Sequence, residues 1–141
     1  MESFATLLSS FQKMKMKKQI INTLNAPDPI GPYSQGVKTG GMLFISGQVA
    51  IKPGTSELIT DNIQRETEQV MNNLKAILIE AGLGFEHVIK TTIFLKDMSL
   101  FVSVNEVYGK FFESDFPARE TVAVKGLPKD VNVEISMIAA E

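Results

Sequence analysis

The sequence predicts a single α+β domain, built as a six-stranded and mostly antiparallel sheet with two helices on one face. Its 141 residues suit one domain of ordinary size. A hydrophobic content of 44% and a charged content of 21% are typical of a globular protein. Segments with strand-like alternation and segments with helical spacing follow one another in the order β-β-β-α-β-α-β-β.

Residues 1–16 are predicted to be an N-terminal extension of a domain that spans residues 17–141. Three interpretations are open: an organellar targeting peptide, an extension upstream of an internal start at Met14 or Met16, and an added interaction helix. We expect an extension that the core does not need, with targeting as the alternative. Apolar residues at helical spacing and then lysines make up this segment: Phe4, Leu7, Leu8 and Phe11, followed by Lys13, Lys15, Lys17 and Lys18.

Three strands are predicted at the start of the domain, at residues 19–22, 35–39 and 42–49. Gly40-Gly41 between the last two is typical of a hairpin turn. Ser46-Gly47 interrupts the third strand, where a glycine either marks a β-bulge or exposes backbone to close approach by another group.

The loop between the first two strands is predicted to hold Tyr33 in a defined orientation. Pro27, Pro29 and Pro32 precede it within a few residues. Because each proline fixes its own backbone φ, this loop has little freedom.

Two helices are predicted between the later strands. Residues 63–81 form the clearer one, with Asp61 and Gln64 as its cap and Gly82 as its end. The second lies near residues 99–113. Their inward apolar positions are Ile63, Val70, Leu74, Ile77, Leu78 and Ala81 in the first helix and Leu100, Val104, Val107 and Phe111 in the second.

Three further strands, at residues 88–96, 120–125 and 132–139, complete the predicted sheet. Two helices cover only one face of such a sheet, so the other face is open. Apolar residues on an open face are typical of a surface that another chain covers. We therefore expect an oligomer.

The composition excludes several kinds of chemistry. The chain has no cysteine, which removes disulfides, thiolate nucleophiles and cysteine-ligated metals. His87 is the only histidine, so neither a Ser-His triad nor a histidine-built zinc site is expected. The net charge of −2 disfavours a nucleic-acid partner, and no apolar run reaches the roughly 20 residues of a membrane span. We expect no metal, no cofactor and no membrane partner.

Arg119 is the first candidate for the chemistry, because a guanidinium binds a carboxylate through two parallel hydrogen bonds and a lysine does not. Its position at a strand end fits a structural ion pair equally well. Alternation places Thr121 on the same face of the strand as Arg119, and Glu134 on the face opposite Val133. If Val122 and Val133 both face the helices, the other three side chains share the open face.

Separated motifs in a fixed order give the chain a resemblance to the Rid (YjgF) family. It is closest to the RidA branch, the enamine and imine deaminases, and runs from residue 17 to residue 140. The motifs are Ile30-Gly31-Pro32-Tyr33-Ser34-Gln35, Ile45-Ser46-Gly47-Gln48, Phe116-Pro117-Ala118-Arg119, Leu127-Pro128-Lys129-Asp130 and Val133-Glu134-Ile135.

The resemblance implies a chorismate-mutase-like subunit in a homotrimer with clefts between subunits. It implies hydrolysis of 2-iminopropanoate and 2-iminobutanoate to 2-oxo acids and ammonia, without a cofactor, in the cytoplasm or, if residues 1–16 are a targeting peptide, in a mitochondrion or another organelle. Arg119 would bind the substrate carboxylate, and Glu134 would orient and deprotonate water. Tyr33 would line the cleft as a third catalytic residue. The implied substrate-binding residues are Ser46, Gly47, Thr121 and, from the neighbouring subunit, Phe101.

Other functions stay open beside this one. A non-catalytic trimer that binds 2-oxo acids as signals would use Arg119 in the same way but would not need Glu134. An endoribonuclease or translation-inhibitor activity is ascribed to some members of the family, although the net charge and the lack of tryptophan disfavour it here. Chaperone-like surface binding is a third alternative.

Overall fold

The computed structural model describes residues 1–13 and 17–141, without the side chains of residues 9–13. Its strands are β1 (Gln19–Ile21), β2 (Gly36–Thr39), β3 (Met42–Gln48), β4 (Val88–Leu95), β5 (Ala118–Ala123) and β6 (Val133–Ala140). They form one sheet in the order β1-β2-β3-β6-β4-β5. Among the described residues, β4 and β5 are the one parallel pair, and the other pairs are antiparallel. The predicted sheet is confirmed.

The helices are α1 (Phe4–Lys13), α2 (Ile63–Glu80) and α3 (Phe101–Gly109). Helices α2 and α3 pack on each other and on the same face of the sheet, as predicted. Their shared core consists of fully buried apolar side chains, including Leu43, Leu74, Leu78, Ile93 and Ile135. The α+β class is therefore confirmed.

Helix α1 lies outside this core. Phe4, Leu7 and Leu8 are exposed, and no described residue of α1 belongs to the buried cluster. The side chain of Phe11 and residues 14–16, with both candidate starts, lie outside the described part of the chain. The division of the chain at residue 16 stays a prediction.

The N-cap of α2 and the end of α3 differ from the predicted ones, whereas the predicted stop of α2 at Gly82 is confirmed. Asn62 caps α2, because its Oδ1 accepts a hydrogen bond from the backbone N–H of Arg65 at 2.8 Å. The predicted cap residue Asp61 instead forms an ion pair with the Arg65 guanidinium. Gly82 follows the helix with a φ of 78°, as a helix end requires. Helix α3 ends at Gly109, four residues before its predicted end.

A buried carboxylate joins α2 to the start of β6. Glu66 is fully buried. It accepts hydrogen bonds from the backbone N–H of Asn132 at 2.8 Å, from Asn132 Nδ2 at 2.7 Å and from the backbone N–H of Val133 at 3.2 Å. These bonds fix the backbone directly before Glu134.

Candidate functional site

Arg119 lies on the helix-covered face of the sheet. In the parallel pair of β4 and β5, Arg119 is opposite Thr91, and Thr121 is opposite Ile93. Both β4 residues are fully buried under the helices. Paired residues on adjacent strands point to the same face, so Arg119 and Thr121 also face the helices.

Glu134 lies on the open face. Its partner in β4 is Phe94, which also pairs with Val122, whereas the preceding residue Val133 is fully buried. The prediction that all three candidate side chains share one face is therefore wrong. The prediction assumed that Val122 faces the helices. Val122 is instead 43% exposed and belongs to the open face, which is also apolar. Other exposed apolar side chains of this face are Ile20 and Phe44.

We call five residues the arginine cluster: Arg119, the neighbours Phe101, Tyr108 and Asn105 on α3, and Thr121 on the same face of β5. The guanidinium carbon lies 5.1 Å from the centre of the Tyr108 ring and 5.8 Å from that of Phe101. Phe101, expected from a neighbouring subunit, thus approaches Arg119 within the same chain. Among the described residues no acidic side chain pairs with Arg119, which argues against a structural ion pair.

An open cleft of about 410 Å³ lies beside the arginine cluster. The sequence did not single out Asn105 or Tyr108 as site residues, although their spacing from Phe101 places all three on one side of α3. The hydroxyl oxygen of Thr121 is buried and has no hydrogen-bond partner within the described chain. The cleft is lined by Asn105, Tyr108, Gly109, Phe116, Pro117 and Arg119.

A second group, which we call the glutamate cluster, consists of Tyr33, Ser46, Gly47 and Glu134. The pairing of β3 with β6 shifts register between Ile45 and Gln48, so a bulge is present. A Cβ at Gly47 would lie 2.8 Å from Cδ of Glu134. Gly47 therefore both lies in a β-bulge and allows another group to approach the backbone closely. Burial raises the pKa of the half-buried Glu134 carboxyl above its usual value.

Hydrogen bonds join the segment of Tyr33 to the bulge. The Ser46 hydroxyl donates to the carbonyl of Ser34 at 2.6 Å. The Tyr33 hydroxyl oxygen accepts from the backbone N–H of Ile30 at 3.2 Å, and its ring remains half-exposed. This local bond gives the ring the defined orientation that the loop prolines predict. The structure thus places Gly47 against Glu134 and ties Ser46 to Ser34, the residue that follows Tyr33.

The described residues contain no group of three or more acidic or histidine side chains that could hold a metal ion. His87 has a local role, because its Nδ1 accepts a hydrogen bond from the backbone N–H of Gly84 at 3.0 Å. No helix within the described ranges is both long enough and apolar enough to cross a bilayer.

Comparisons with known proteins agree along nearly the whole domain. Residues 23–141 match a family model described as Endoribonuclease L-PSP. A RutC family protein of Pyrococcus horikoshii is 52% identical over 86% of this chain and 97% of its own. The chloroplastic Reactive Intermediate Deaminase A of Arabidopsis thaliana is 39% identical over 96% of this chain and 72% of its own. The solved structure of E. coli TdcF with bound serine is 43% identical, with a TM-score of 0.84 over 87% of this chain and 98% of its own.

Proposed function

Because this chain belongs to the Rid (YjgF) family, we propose that it hydrolyses the reactive imines 2-iminopropanoate and 2-iminobutanoate, and their enamine forms, to 2-oxo acids and ammonia. The observation that carries the proposal is the state of Arg119. Its guanidinium lies against two aromatic rings at an open cleft, with no carboxylate partner among the described residues. Such a group suits a small organic anion.

The arginine cluster supplies the binding half of the reaction. Arg119 donates two parallel hydrogen bonds to the substrate carboxylate, and the solved TdcF structure with bound serine supports a small carboxylate ligand. Thr121 follows Arg119 on the same face of the strand, and its hydroxyl oxygen is buried beside the cleft rather than exposed in it. Fixed geometry matters more than a strong nucleophile here, because a protonated imine is already electrophilic.

The glutamate cluster supplies the hydrolytic half. Glu134 orients a water molecule and takes its proton as the oxygen bonds to the imine carbon. The same proton then goes to the nitrogen of the addition product. As the carbon–nitrogen bond breaks, the Glu134 carboxylate takes the remaining hydroxyl proton and the carbonyl of the 2-oxo acid forms. The departing ammonia then takes up that proton and leaves as ammonium. Burial raises the pKa of the Glu134 carboxyl toward the working pH. Such a carboxyl is a stronger base than an exposed one and can still return the proton, so it suits both steps. Tyr33, Ser46 and Gly47 form the wall beside it.

The complete site is formed between two copies of the chain, because the two clusters lie on opposite faces of one sheet. The apolar side chains of the open face support such an assembly, and the family resemblance favours a homotrimer. Each cleft would then combine Arg119 of one subunit with Glu134 of its neighbour.

The first experiment couples the protein to a threonine dehydratase, which releases 2-iminobutanoate, in the presence of semicarbazide as a competing trap. We expect the wild-type chain to divert the imine to 2-oxobutanoate. Arg119→Lys keeps the charge but loses the fork, so kcat/KM should fall about 10- to 100-fold, as expected for one lost charge-assisted hydrogen bond. Glu134→Ala should lose turnover yet still bind 2-oxobutanoate in calorimetry.

Each alternative function predicts a different result. Binding of 2-oxobutanoate without turnover by the wild-type chain would favour a non-catalytic binder. The family model carries the description of an endoribonuclease, so RNA cleavage that survives purification and falls with Arg119→Ala would favour that activity. Near-normal turnover by Arg119→Lys would remove Arg119 from the mechanism.

We further propose a cytoplasmic location, with an organelle as the alternative if residues 1–16 act as a targeting peptide. The Arabidopsis relative is named as chloroplastic, which supports keeping that alternative. Fractionation of cells that express the chain with and without residues 1–16 distinguishes the two.

A further inference from the structure

A buried hydrogen bond between two hydroxyl groups lies next to Arg119. The Tyr108 hydroxyl donates to Oγ1 of Thr91 at 3.0 Å. Tyr108 is 4% exposed and Thr91 is fully buried. Because Thr91 is the β4 residue opposite Arg119, the bond ties α3 to the strand beside the arginine.

The Tyr108 ring is the aromatic group nearest to the guanidinium, at 5.1 Å. A guanidinium stacks on an aromatic face through the negative charge of the ring surface. An arginine side chain has several rotatable bonds, so a fork without a carboxylate partner needs some other contact to fix its plane. Among the described residues, the rings of Tyr108 and Phe101 are the contacts that do so.

We propose that Tyr108, held in place by Thr91, is a positioning residue that sets the plane of the Arg119 guanidinium for two-point binding of a carboxylate. The inference rests on the proposed function, since it assumes that Arg119 binds an organic acid. Thr91 acts one step further away, by holding the ring through its hydroxyl.

If Tyr108 had only a structural role, its substitution would change stability and leave ligand affinity unchanged. Its ring also packs on Phe112 at 4.9 Å, and a phenylalanine would fill this part of the core equally well. The hydroxyl pair adds no packing, but removing one partner leaves the other buried and unpaired, whereas removing both avoids that penalty. The double variant should therefore regain stability without regaining ligand affinity, which distinguishes the positioning role from a structural one.

The test compares Tyr108→Phe, Thr91→Val, their double variant and Tyr108→Leu. The readouts are kcat and KM for the imine, the Kd for 2-oxobutanoate by calorimetry, and the Tm. Tyr108→Leu removes the ring, so we expect KM and Kd to rise about tenfold with kcat within about twofold. Each single hydroxyl variant should lower the Tm and raise Kd about threefold, and the double variant should recover the Tm but keep the raised Kd.

Two controls separate positioning of Arg119 from other effects. Phe85→Leu removes a ring from the same aromatic group, where it packs on Phe111 and Phe112, and should lower the Tm without changing Kd. In an Arg119→Lys background, Tyr108→Leu should add no further loss of affinity. A loss that persists there would mean that Tyr108 contacts the ligand itself and would overturn the inference.

The outcomes also separate this inference from the proposed function. If Tyr108→Leu and the double variant bind 2-oxobutanoate as tightly as the wild-type chain does, the inference is overturned while the enzymatic function stands. If the wild-type chain binds 2-oxobutanoate but does not hydrolyse the imine, the proposed function fails and the positioning role is still measured. If the wild-type chain binds no carboxylate, both are overturned.

Discussion

The two arginines of the chain differ in what surrounds the guanidinium. Arg65 forms an ion pair with Asp61 on the exposed side of α2. Arg119 lies between a sheet and a helix, against the rings of Tyr108 and Phe101. Aromatic contacts leave the hydrogen-bonding fork unoccupied, so it can bind an incoming anion. The same side chain is therefore a surface ion pair in one place and a candidate binding group in the other.

Gly47 controls the position of Glu134, and Gly47→Ala tests this. The new Cβ would lie 2.8 Å from Cδ of Glu134, so the carboxylate must move. If Glu134 acts as proposed, a shift of this size should reduce kcat/KM on the order of 10- to 100-fold. The Tm should change little, because the displaced group is the end of a flexible side chain.

The matched control for this variant is Gly126→Ala. A Cβ at Gly126 has nothing within 4 Å, so activity and Tm should both stay near the wild-type values. Measurement uses the coupled imine assay and thermal unfolding of both variants. Unchanged kcat/KM in Gly47→Ala would show that the Glu134 carboxylate need not stay where the structure has it.

Residue types in the site were predictable, but their sides of the sheet were not. Arg119 and Glu134 can be recognised in the sequence because charged residues are uncommon within apolar β-strands unless they have a role. Alternation relates residues within one strand, yet it does not say which face of that strand meets the helices. Val122 gave the wrong orientation, since an apolar residue suits a face covered by helices and a face covered by another chain equally well.

At the scale of elements, the unit β4-α3-β5 builds the arginine cluster. A parallel strand pair needs a crossover, and α3 is that crossover. The sequence predicted α3 to run to residue 113, because Phe111 continues the helical spacing. The rings of Phe111 and Phe112 instead pack on Phe85 after the helix has ended at Gly109. The connection that follows ends in Phe116 and Pro117, which line the cleft beside Arg119.

The joint between α2 and β6 depends on Glu66, and Glu66→Gln tests its contribution to stability. An amide offers one acceptor oxygen instead of two and turns an N–H group toward the donors of Asn132 and Val133. One or more buried donors then lack a partner, so the free energy of unfolding should fall by about 1–3 kcal/mol. Urea unfolding at matched protein concentration measures it.

Glu68→Gln is the control for this joint, because Glu68 lies on the exposed side of the same helix. Its free energy of unfolding should change by no more than about 0.5 kcal/mol. Equal stability of the two variants would contradict the proposed joint.

At the scale of the whole molecule, the two candidate clusters lie on opposite faces of one sheet and cannot meet within one chain. The arginine cluster lies under the helices, and the glutamate cluster lies on the open face. The sequence predicted an uncovered apolar face and therefore an oligomer. The resemblance to the Rid family further implied that clefts lie between the subunits. The division of the site between the two faces required the strand register, which a single sequence does not contain.

Mixed assemblies test the division. Arg119→Ala and Glu134→Ala chains should each be inactive, since every site lacks one group. When the two are unfolded together and refolded, a site that draws Arg119 from one chain and Glu134 from the other is intact in about one case in four, so about a quarter of wild-type turnover should return.

The control is the doubly substituted chain, refolded with the wild-type chain at the same ratio. A mixture of the single variants that stays inactive, although the subunits have exchanged, would mean that both groups act within one chain.

Under the proposed function, the crossover from β4 to β5 places the acid-binding residues and the hydrolytic residues in separate parts of the chain. Everything that surrounds Arg119 lies in one continuous stretch, residues 88–123, whereas the groups around Glu134 come from three distant segments. Insertions and deletions are tolerated best in surface connections, and residues 110–117 are such a connection beside the cleft. Relatives in which this connection is longer or shorter would then differ in which organic acid they bind. The residues of the hydrolytic step would stay the same.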